Sequence, residues 1–435
     1  MEVLNCITEA SPARPLRILV CGASGFIGRA LCHHLARCGH TVVRGVRQPE
    51  RPGDVGIDYA RDTDPGLWRG RLEGIDVVVN AVGIITESRK ARFDDIHHRA
   101  PAALFAACVE AGVRRVIQIS ALGAERGDTP YFRSKYAADR VLMSLPIEWQ
   151  ILRPSLVYGT DGISAAMFRT LASLPVIPVP DLGQARFQPI HIDDLVEGVE
   201  RAIRPSVPSG QQIDMVGGSP VSYPEMLDVY RRAMGFGRPL RLTVPAPVMA
   251  CAARLAAWIP GSALTPDNWR MLRAGNAADA AGVTRLLGRA PKRIDQFIAP
   301  QCAEVLRMRA LAAWRAPLLR HALAWVWIVT AWVSAFVHPP AESLALLERV
   351  GLADWPAEAA LYGASMLDLM MGIACICYPR RALWAVQAGL VAAYSVIIAI
   401  AIPEYLSHPF GPVIKNLPIL ASLLILSSES TSWTT

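Results

Sequence analysis

Lysine is scarce in this sequence of 435 residues, because only four of its 44 basic residues are lysine and the other forty are arginine. No run of basic residues is interleaved with aromatic side chains, as a groove for single-stranded nucleic acid requires. The net charge of +7 is therefore weak evidence for a nucleic-acid partner, and we expect none. With 52% hydrophobic and only 19% charged residues, the composition also excludes a disordered chain.

Clustered cysteines and an apolar N-terminal leader are missing as well. The nine cysteines are scattered, and Cys375 and Cys377 lie in an apolar run with no second pair of metal ligands nearby. We therefore expect reduced thiols, no metal site and a cytoplasmic location for the soluble part of the chain. The first fifteen residues carry an acid near their start and have no apolar core, so we do not expect a cleaved signal peptide.

Charge is distributed unevenly along the chain, and this divides it into two bodies. Residues 1–306 contain 66 charged side chains, whereas residues 307–435 contain only 15. The second body holds long stretches with almost no charge, which are typical of membrane spans. The predicted parts are an N-terminal tail (1–14), a nucleotide-binding domain (15–200), a variable substrate or lid region (201–306) and a membrane domain (307–435).

A glycine-rich turn follows the first predicted strand. Residues 17–21 have the pattern of a short buried strand, Gly22, Gly25 and Gly28 come next, and a helical pattern then runs as far as Gly39. A pyrophosphate binds the backbone N–H groups of such a helix N-terminus, where any Cβ would hold the backbone away. The pattern predicts a dinucleotide site, and the alternative interpretation is an ordinary tight turn.

The second predicted strand, residues 41–46, bears on the choice of nucleotide. It ends about 18 residues past Gly28, where a site for NAD would carry an acid that binds the ribose 2′-hydroxyl. Val46 stands there instead, Arg47 follows it and Arg44 precedes it. Because a guanidinium binds a 2′-phosphate that a carboxylate would repel, we expect NADP(H) to be preferred over NAD(H). The alternative is two solvated arginines in an arginine-rich chain.

Further strand patterns occur at residues 76–83, 115–120 and 148–152, with helical patterns around residues 100–111 and 133–144 between them. Alternating strands and helices at this spacing form parallel sheets with helices on both faces. The first body is therefore predicted to have an α/β fold with a Rossmann-type, doubly wound parallel sheet.

Residues 15–300 resemble the short-chain dehydrogenase/reductase superfamily, and most closely its extended and atypical NAD(P)-binding branches of the epimerase/dehydratase type. Those branches include the NADPH-binding accessory subunit of respiratory complex I. The motifs that carry the resemblance occur in order along the chain: Gly22-x-x-Gly25-x-x-Gly28, Asn80-Ala-Val-Gly83, Ile119-Ser-Ala-Leu-Gly123, Tyr131-Phe-Arg-Ser-Lys135, Arg153-Pro-Ser-Leu-Val-Tyr-Gly159 and Pro189-Ile-His-Ile-Asp-Asp194.

The resemblance implies a catalytic role for Tyr131 and Lys135, which are four residues apart and so share one face of a helix. A phenol with the ordinary pKa of about 10 is a poor acid or base at neutral pH unless a nearby cation favours its phenolate. In the family the lysine does this and binds the nicotinamide ribose, while the tyrosine exchanges a proton with the substrate. The third catalytic residue would be Ser120, although relatives often place this hydroxyl one or two residues later, where Ala121 and Leu122 stand.

The resemblance also implies the residues that bind the cofactor. They are Gly22, Ser24, Gly25, Phe26, Ile27, Gly28, Arg47, Asn80, Ala81, Val82, Lys135 and Pro154. His191 and Asp193 have residue types suited to catalysis, but the matching segment of relatives is mainly architectural. The region around 200–300, with helical patterns at 223–230 and 248–258, corresponds to the substrate lid of extended members.

Four membrane spans are predicted in the second body, at about 319–338, 359–379, 382–402 and 410–427. Each is close to the ~20 residues that cross ~30 Å of hydrocarbon, although the fourth is short unless it includes Lys415. One such run would suit a buried helix of a soluble protein, but three in series would not. Residues 310–428, and the segment His408-Pro-Phe-Gly-Pro-Val-Ile-Lys-Asn416 above all, resemble the DoxX-like four-helix membrane family.

The basic residues around these spans predict their orientation. Four arginines precede the first span between residues 307 and 320, and Arg380 and Arg381 lie between the second and third, whereas the loop 342–358 is dominated by acids. The positive-inside rule then places the nucleotide domain and both termini in the cytoplasm, with the chain in the inner (cytoplasmic) membrane. Asp368 falls in the middle of the second span, so it is expected to pair with Lys415, to line a polar pocket, or to be neutral and hydrogen-bonded.

Together these patterns predict a membrane-tethered, NADPH-dependent oxidoreductase of the short-chain type. Its substrate would be a carbonyl, hydroxyl or sugar-nucleotide compound, and tethering suits a lipid-soluble one. The alternative is a catalytically silent NADPH-binding scaffold or sensor that docks a membrane partner. A carrier regulated by the nucleotide domain ranks last.

Overall fold

The computed structural model describes residues 15–259, 262, 264–407, 411 and 413–429. The chain divides into two compact units after Met308. The sequence-based boundary between the two bodies was 306/307. The predicted tail, 1–14, lies outside the described residues.

The first unit is built on a seven-stranded parallel sheet with the order β10-β6-β5-β4-β1-β2-β3. Its strands are β1 (Arg17–Cys21), β2 (Thr41–Val46), β3 (Val55–Gly56), β4 (Val77–Asn80), β5 (Arg115–Ile119), β6 (Glu148–Pro154) and β10 (Gln211–Met215). The chain adds strands on one side of β1 and then returns to place β4 on its other side. Such a reversal opens a crevice at the carboxyl ends of the two strands, where ligands of this fold bind.

The described chain also contains two small parallel sheets of two strands each. In one, β7 (Val157–Tyr158) pairs with β9 (Ile190–His191), and in the other, β8 (Val176–Pro180) pairs with β11 (Leu240–Val244). The helices of this unit are α1 (Phe26–Arg37), α2 (Ala100–Glu110), α3 (Pro130–Ser144), α4 (Ile163–Ser173), α5 (Ile192–Ala202), α6 (Tyr223–Ala233), α7 (Ala246–Ala256), α8 (Pro266–Ala274) and α9 (Ala281–Leu287). The helices expected at 223–230 and 248–258 are therefore present as α6 and α7.

Both faces of the large sheet are covered, because alternate residues of a strand point to opposite faces. Ile18 and Val20 of β1 belong to a core shared with Leu31 of α1, whereas Leu19 belongs to a second core that contains Leu104 of α2. All five side chains are fully buried. The predicted Rossmann-like parallel sheet is confirmed.

The second unit is helical. Its helices are α10 (Pro300–Trp332, which begins in the first unit), α11 (Pro340–Arg349), α12 (Trp355–Cys377), α13 (Arg381–Ala401) and α14 (Asn416–Glu429). Within this unit Trp327 donates its indole N–H to the side-chain oxygen of Gln387 at 3.1 Å, and the fully buried Gln387 amide donates to the carbonyl of Met371 at 3.3 Å. These hydrogen bonds join α10, α12 and α13. They also give the buried Gln387 amide the partners that a buried polar group needs.

Three helical segments of the described chain are long and apolar enough to cross a membrane, namely Pro300–Val337, Trp355–Cys377 and Arg381–Ala401. The fourth predicted span, about 410–427, is not such a helix, because α14 has 14 residues and at 1.5 Å per residue reaches only about 21 Å. Residues 408–410 and 412, which belong to the DoxX-like segment, lie outside the described part. No hydrogen bond or ion pair joins Asp368 to Lys415 among the described residues, so the proposed pairing is not formed there.

Candidate functional site

The turn after β1 holds the backbone close to the edge of the sheet. Gly22 has a φ of +82°, which a side chain with a Cβ rarely adopts. The N–H groups of Gly22 and Ala23 both donate to the carbonyl of Gly45 at the end of β2, at 3.0 and 3.1 Å. The turn is thereby tied to the neighbouring strand and leads directly into α1.

Helix α1 begins at this turn with room for an anion. A Cβ on Gly28 would lie 2.0 Å from the carbonyl oxygen of Gly22, so the first turn of the helix packs against the loop only because residue 28 is glycine. The N-cap residue is Gly25, which offers no side-chain hydrogen bond to the first backbone N–H groups. These groups suit a pyrophosphate, which the N-terminus of a helix dipole also favours. The residues present therefore fit a dinucleotide.

A cavity of about 310 Å³ adjoins this turn at the carboxyl ends of β1, β4, β5 and β6. Nine of the predicted site residues line it: Gly25, Phe26, Ile27, Ala81, Val82, Ser120, Tyr131, Lys135 and Pro154. The structure thus brings the predicted catalytic residues and the glycine turn to one cavity. Gly22 and Gly28 do not line the cavity, but they shape the turn beside it.

Three other predicted cofactor residues do not line the cavity either. Asn80 is buried, because its side-chain oxygen accepts from the Tyr59 hydroxyl and its amide donates to Gln118, both at 2.8 Å. It therefore orders the ends of neighbouring strands. Ser24 is exposed on the turn, and Arg47 is exposed just past the end of β2.

The two arginines of the predicted 2′-phosphate site differ in their surroundings. Arg44 forms an ion pair with the buried carboxylate of Asp54 at 3.2 Å. Arg47 makes no ion pair with any described residue. It follows the strand whose Gly45 is the register partner of Cys21, and therefore lies at the same sheet edge as the glycine turn. Of the two, Arg47 is the cation available to a ligand.

Helix α3 positions the tyrosine and the lysine. Thr129 caps it by accepting from the N–H of Phe132, and Pro130 occupies its first turn, where a missing N–H costs nothing. Tyr131 and Lys135 are therefore one helical turn apart and both reach the cavity. The buried Lys135 ammonium group donates to the carbonyl oxygens of Val82 at 3.3 Å and Ile119 at 3.2 Å.

Burial controls the protonation of this pair. It lowers the pKa of Lys135 to about 8, an effect that the neighbouring Asp139 carboxylate partly opposes. It raises the pKa of Tyr131 to about 12, and the charge of Asp139 adds to that rise. The phenol is therefore protonated at neutral pH, whereas the resemblance implied a phenol whose pKa the lysine lowers. In this structure burial, followed by the charge of Asp139, sets the pKa of the phenol.

Ser120 is turned toward a carboxylate that the motifs did not single out. Its hydroxyl donates to Asp139 at 2.5 Å, and both side chains are buried. Burial raises the pKa of Asp139 to about 6, although the Ser120 hydrogen bond and the charge of Lys135 oppose the rise. The spacing of Tyr131, Lys135 and Asp139, four residues each, is the sequence signal that identifies this carboxylate.

An aromatic cluster holds the Tyr131 ring. Phe93 and His97 each contact it edge to face, with centroid distances of 5.9 and 5.4 Å. His97 accepts from the N–H of Ile84 at 3.0 Å, and its other ring nitrogen lies 3.0 Å from the Ser134 hydroxyl. Burial, followed by the charge of Lys135, lowers the pKa of His97 to about 2, so the ring is neutral. The sequence analysis did not identify His97 or Phe93.

The His191 and Asp193 pair does not line this cavity. His191 caps α5 by accepting from the backbone N–H of Asp193 at 3.2 Å. Lys292 donates to the Asp193 carboxylate at 2.7 Å. These contacts fix the start of a helix, as the architectural interpretation expected.

Comparisons with known proteins agree with this architecture. A model of the NAD dependent epimerase/dehydratase family matches residues 18–215. A model of the DoxX-like family matches residues 324–424. The two matches cover different parts of the chain and do not overlap.

Among curated proteins, this chain is similar to the NADH dehydrogenase (ubiquinone) 1 alpha subcomplex subunit 9, mitochondrial, of Mus musculus. The two are 30% identical over 199 residues, which are 42% of this chain and 52% of the mouse protein. The chain thus spans about half the length of the curated relatives that it matches.

Two solved structures share the fold of the first unit. MoeE5 in complex with UDP-glucuronic acid and NAD matches with a TM-score of 0.51 and 21% identity, over 67% of this chain and 99% of that one. The NADPH-dependent quinone oxidoreductase QOR2 of Escherichia coli, complexed with NADPH, matches with a TM-score of 0.52 and 16% identity, over 65% of this chain and 98% of that one. At these identities the likeness concerns the fold alone. The chain therefore joins an NAD(P)-binding domain of the NAD-dependent epimerase/dehydratase family to a C-terminal domain of the DoxX-like family.

Proposed function

We propose that this protein is a membrane-tethered, NADPH-dependent oxidoreductase of the short-chain type that reduces a carbonyl group. The observation that carries the proposal is the position of Tyr131 and Lys135, one helical turn apart, on the wall of the cavity that opens at the N-terminus of α1. A proton donor and a cation thus adjoin a site that fits a dinucleotide.

Residues of the first unit would hold the cofactor in three places. The backbone N–H groups at the start of α1 would bind the pyrophosphate, Arg47 the 2′-phosphate and Lys135 the nicotinamide ribose. The exposed, unpaired state of Arg47 and the absence of an acid at Val46 support NADPH over NADH. When bound, the nicotinamide supplies the hydride.

Tyr131 is proposed to donate the proton. Its raised pKa keeps the phenol protonated at neutral pH, and that state donates to a carbonyl oxygen as negative charge develops there. Phe93 and His97 contact the ring edge to face, and by limiting its motion they would lower the entropic cost of placing the proton. Lys135, held by two backbone carbonyls, provides a positive charge that stabilises the phenolate left behind.

The second unit supports the proposed membrane tether and the proposed class of substrate. Its three long apolar helices have the length of membrane spans, and we propose that they anchor the chain in the inner membrane as a multi-pass protein. By the positive-inside rule, the four arginines between residues 307 and 320, together with Arg380 and Arg381, support a cytoplasmic nucleotide domain and a cytoplasmic loop between α12 and α13. Residence at a membrane favours a lipid-soluble substrate, and a quinone fits a carbonyl reductase of this kind.

A second candidate function is a redox-silent NADPH-binding scaffold that docks a membrane partner. This function is favoured by the hydrogen bond of Ser120. Because the Ser120 hydroxyl donates its hydrogen to Asp139, it can accept a hydrogen bond from a substrate but cannot donate one. The third hydrogen bond of the family's mechanism would then be missing. The mouse relative is named as a subunit of NADH dehydrogenase (ubiquinone), which agrees with a scaffold role.

The two functions are separated by a matched pair of variants in the full chain, reconstituted in lipid nanodiscs. NADPH oxidation is measured against a panel of quinones, lipid aldehydes and sugar nucleotides. Tyr131→Phe should lower turnover by about 10²- to 10⁴-fold and leave NADPH affinity unchanged, because only the transferable proton is lost. Tyr136→Phe, on the same helix but outside the cavity lining, should behave as wild type. NADPH binding without turnover on any substrate would establish the scaffold.

A further inference from the structure

The small β8–β11 sheet leaves an apolar face exposed. Leu240 is the register partner of Val176, and Leu242 is the partner of Pro178. Side chains at paired positions, and at every second position along a strand, point to the same face. On this face Leu240 is 71%, Leu242 59% and Val176 45% exposed, although each would be buried in an ordinary core.

Helix α7 continues this exposed apolar surface. Val248, Cys251 and Leu255 lie at positions i, i+3 and i+7, so they form one stripe, and all three are exposed. Ala253 is the one residue of α7 that is fully buried. Trp258 and Ile259 follow the helix and are 87% and 64% exposed.

The same segment carries positive charge and no negative charge. Residues 229–266 contain five arginines and no aspartate or glutamate. Arg241 is bound by Asp228, but Arg238 and Arg254 are exposed and make no ion pair with a described residue. A surface that combines exposed leucine, isoleucine and tryptophan with unpaired arginine matches the boundary between acyl chains and anionic headgroups.

We infer that this lid surface, formed by the exposed side chains of β8, β11, α7 and residues 258–259, docks into the headgroup region of an anionic bilayer. The bilayer is favoured over a protein partner because the chain's own apolar helices begin at Pro300, about forty residues after Trp258. Tryptophan is enriched at membrane interfaces, where its ring is apolar and its N–H is hydrated. The inference rests on the membrane tethering within the proposed function and does not depend on catalysis.

Docking of the lid surface would bring a lipid-soluble substrate to the nucleotide domain from the membrane instead of from water. Helix α4, which leads into β8, begins at the cavity, because Phe26 of the cavity wall would contact a Cβ on Gly159 or Gly162 just before it. Ile163 at the start of α4 is 89% exposed. Helix α4 therefore connects the lid surface to the mouth of the cavity.

The test uses two exposed native thiols of the full chain. An environment-sensitive fluorophore is attached to Cys251 on α7, or to Cys38 after α1, once the other accessible cysteines have been changed to serine. The labelled chain is reconstituted in nanodiscs that contain phosphatidylglycerol and lipids brominated near the headgroup. The inference predicts blue-shifted, bromine-quenched emission from the Cys251 probe, with neither effect at Cys38.

Charge variants complete the test. Arg254→Glu should reduce quenching at Cys251 in anionic discs, and Leu255→Glu should reduce it in every lipid, because the first removes attraction and the second removes apolar burial. Arg61→Glu, the same charge change at a side chain 86% exposed elsewhere, should leave quenching unchanged.

Equal quenching at both probes would overturn the inference. So would Cys251 emission that depends on the number of chains per disc and not on brominated lipid, because a second copy would then cover the surface. A chain that does not incorporate into discs would overturn the tethering itself, which distinguishes that failure from a lid surface that simply stays in water.

Discussion

Replacing Gly28 with alanine should separate α1 from the loop that precedes it. The added Cβ would lie 2.0 Å from the carbonyl oxygen of Gly22 and 2.7 Å from its carbonyl carbon, and both are backbone atoms. An ordinary contact begins at 3.4 Å, so the helix must move by about 1.4 Å to accept the methyl group. The helix N-terminus and the turn would no longer present their N–H groups together.

The expected loss has two parts. Forced overpacking of this kind typically costs about 1–3 kcal/mol of stability. Misplacing one charge-assisted backbone contact to the pyrophosphate costs about 1.5–3 kcal/mol, so NADPH affinity should fall about tenfold to hundredfold. NADH affinity should fall by the same factor, because both nucleotides share the pyrophosphate.

Affinity is measured by fluorescence titration of the full chain in mild detergent, and thermal unfolding of the same samples shows that the variant is folded at the assay temperature. The matched control is Gly70→Ala, because a Cβ on Gly70 meets nothing within 4 Å. Wild-type NADPH affinity in a folded Gly28→Ala protein would refute the argument that this helix N-terminus binds the nucleotide.

Three further predictions address other parts of the molecule. Arg47→Ala should weaken NADPH binding about tenfold to hundredfold and leave NADH binding unchanged in parallel titrations, because only the 2′-phosphate contact is lost. An equal loss of affinity for both nucleotides would show that Arg47 does not contact the 2′-phosphate. Asp139→Asn should lower the pKa of Lys135 further below about 8, because the carboxylate that favours the ammonium is removed. Carbon-13 NMR titration of the four lysines measures this, and an unchanged midpoint would contradict it. Gln387→Leu should destabilise the second unit by about 1–3 kcal/mol in thermal unfolding, because it leaves the Trp327 N–H buried without a partner; an unchanged unfolding temperature would show that this bond is dispensable.

Much of the nucleotide site was accessible from local patterns. Strand, glycine turn and helix follow one another within residues 17–37, and both the close approach of Gly28 and the open N-terminus of α1 are properties of that short segment. The four-residue spacing of Tyr131 and Lys135 likewise predicted a shared helix face, which α3 provides. Such features depend on contacts between near neighbours, which a sequence pattern encodes directly.

Protonation and side-chain partners depended on tertiary packing. His97 and Phe93 lie more than thirty residues before Tyr131, and only the folded chain brings their rings against the phenol. Burial of that ring, followed by the charge of Asp139, raises its pKa. Asn80 has the residue type and spacing of a cofactor ligand, but its side-chain amide forms hydrogen bonds with Tyr59 and Gln118 from other segments.

The chain's sequence was sufficient for the two-part organisation, the parallel sheet, the nucleotide turn and three of the four predicted apolar spans, because each follows from periodicity or composition over a few neighbouring residues. Tertiary structure decided which residues line the cavity, where the Ser120 hydroxyl points and which apolar side chains remain exposed on the lid surface. Those properties arise where segments distant in sequence meet, because the hydrogen bonding and burial of each side chain depend on the residues that surround it in the folded chain.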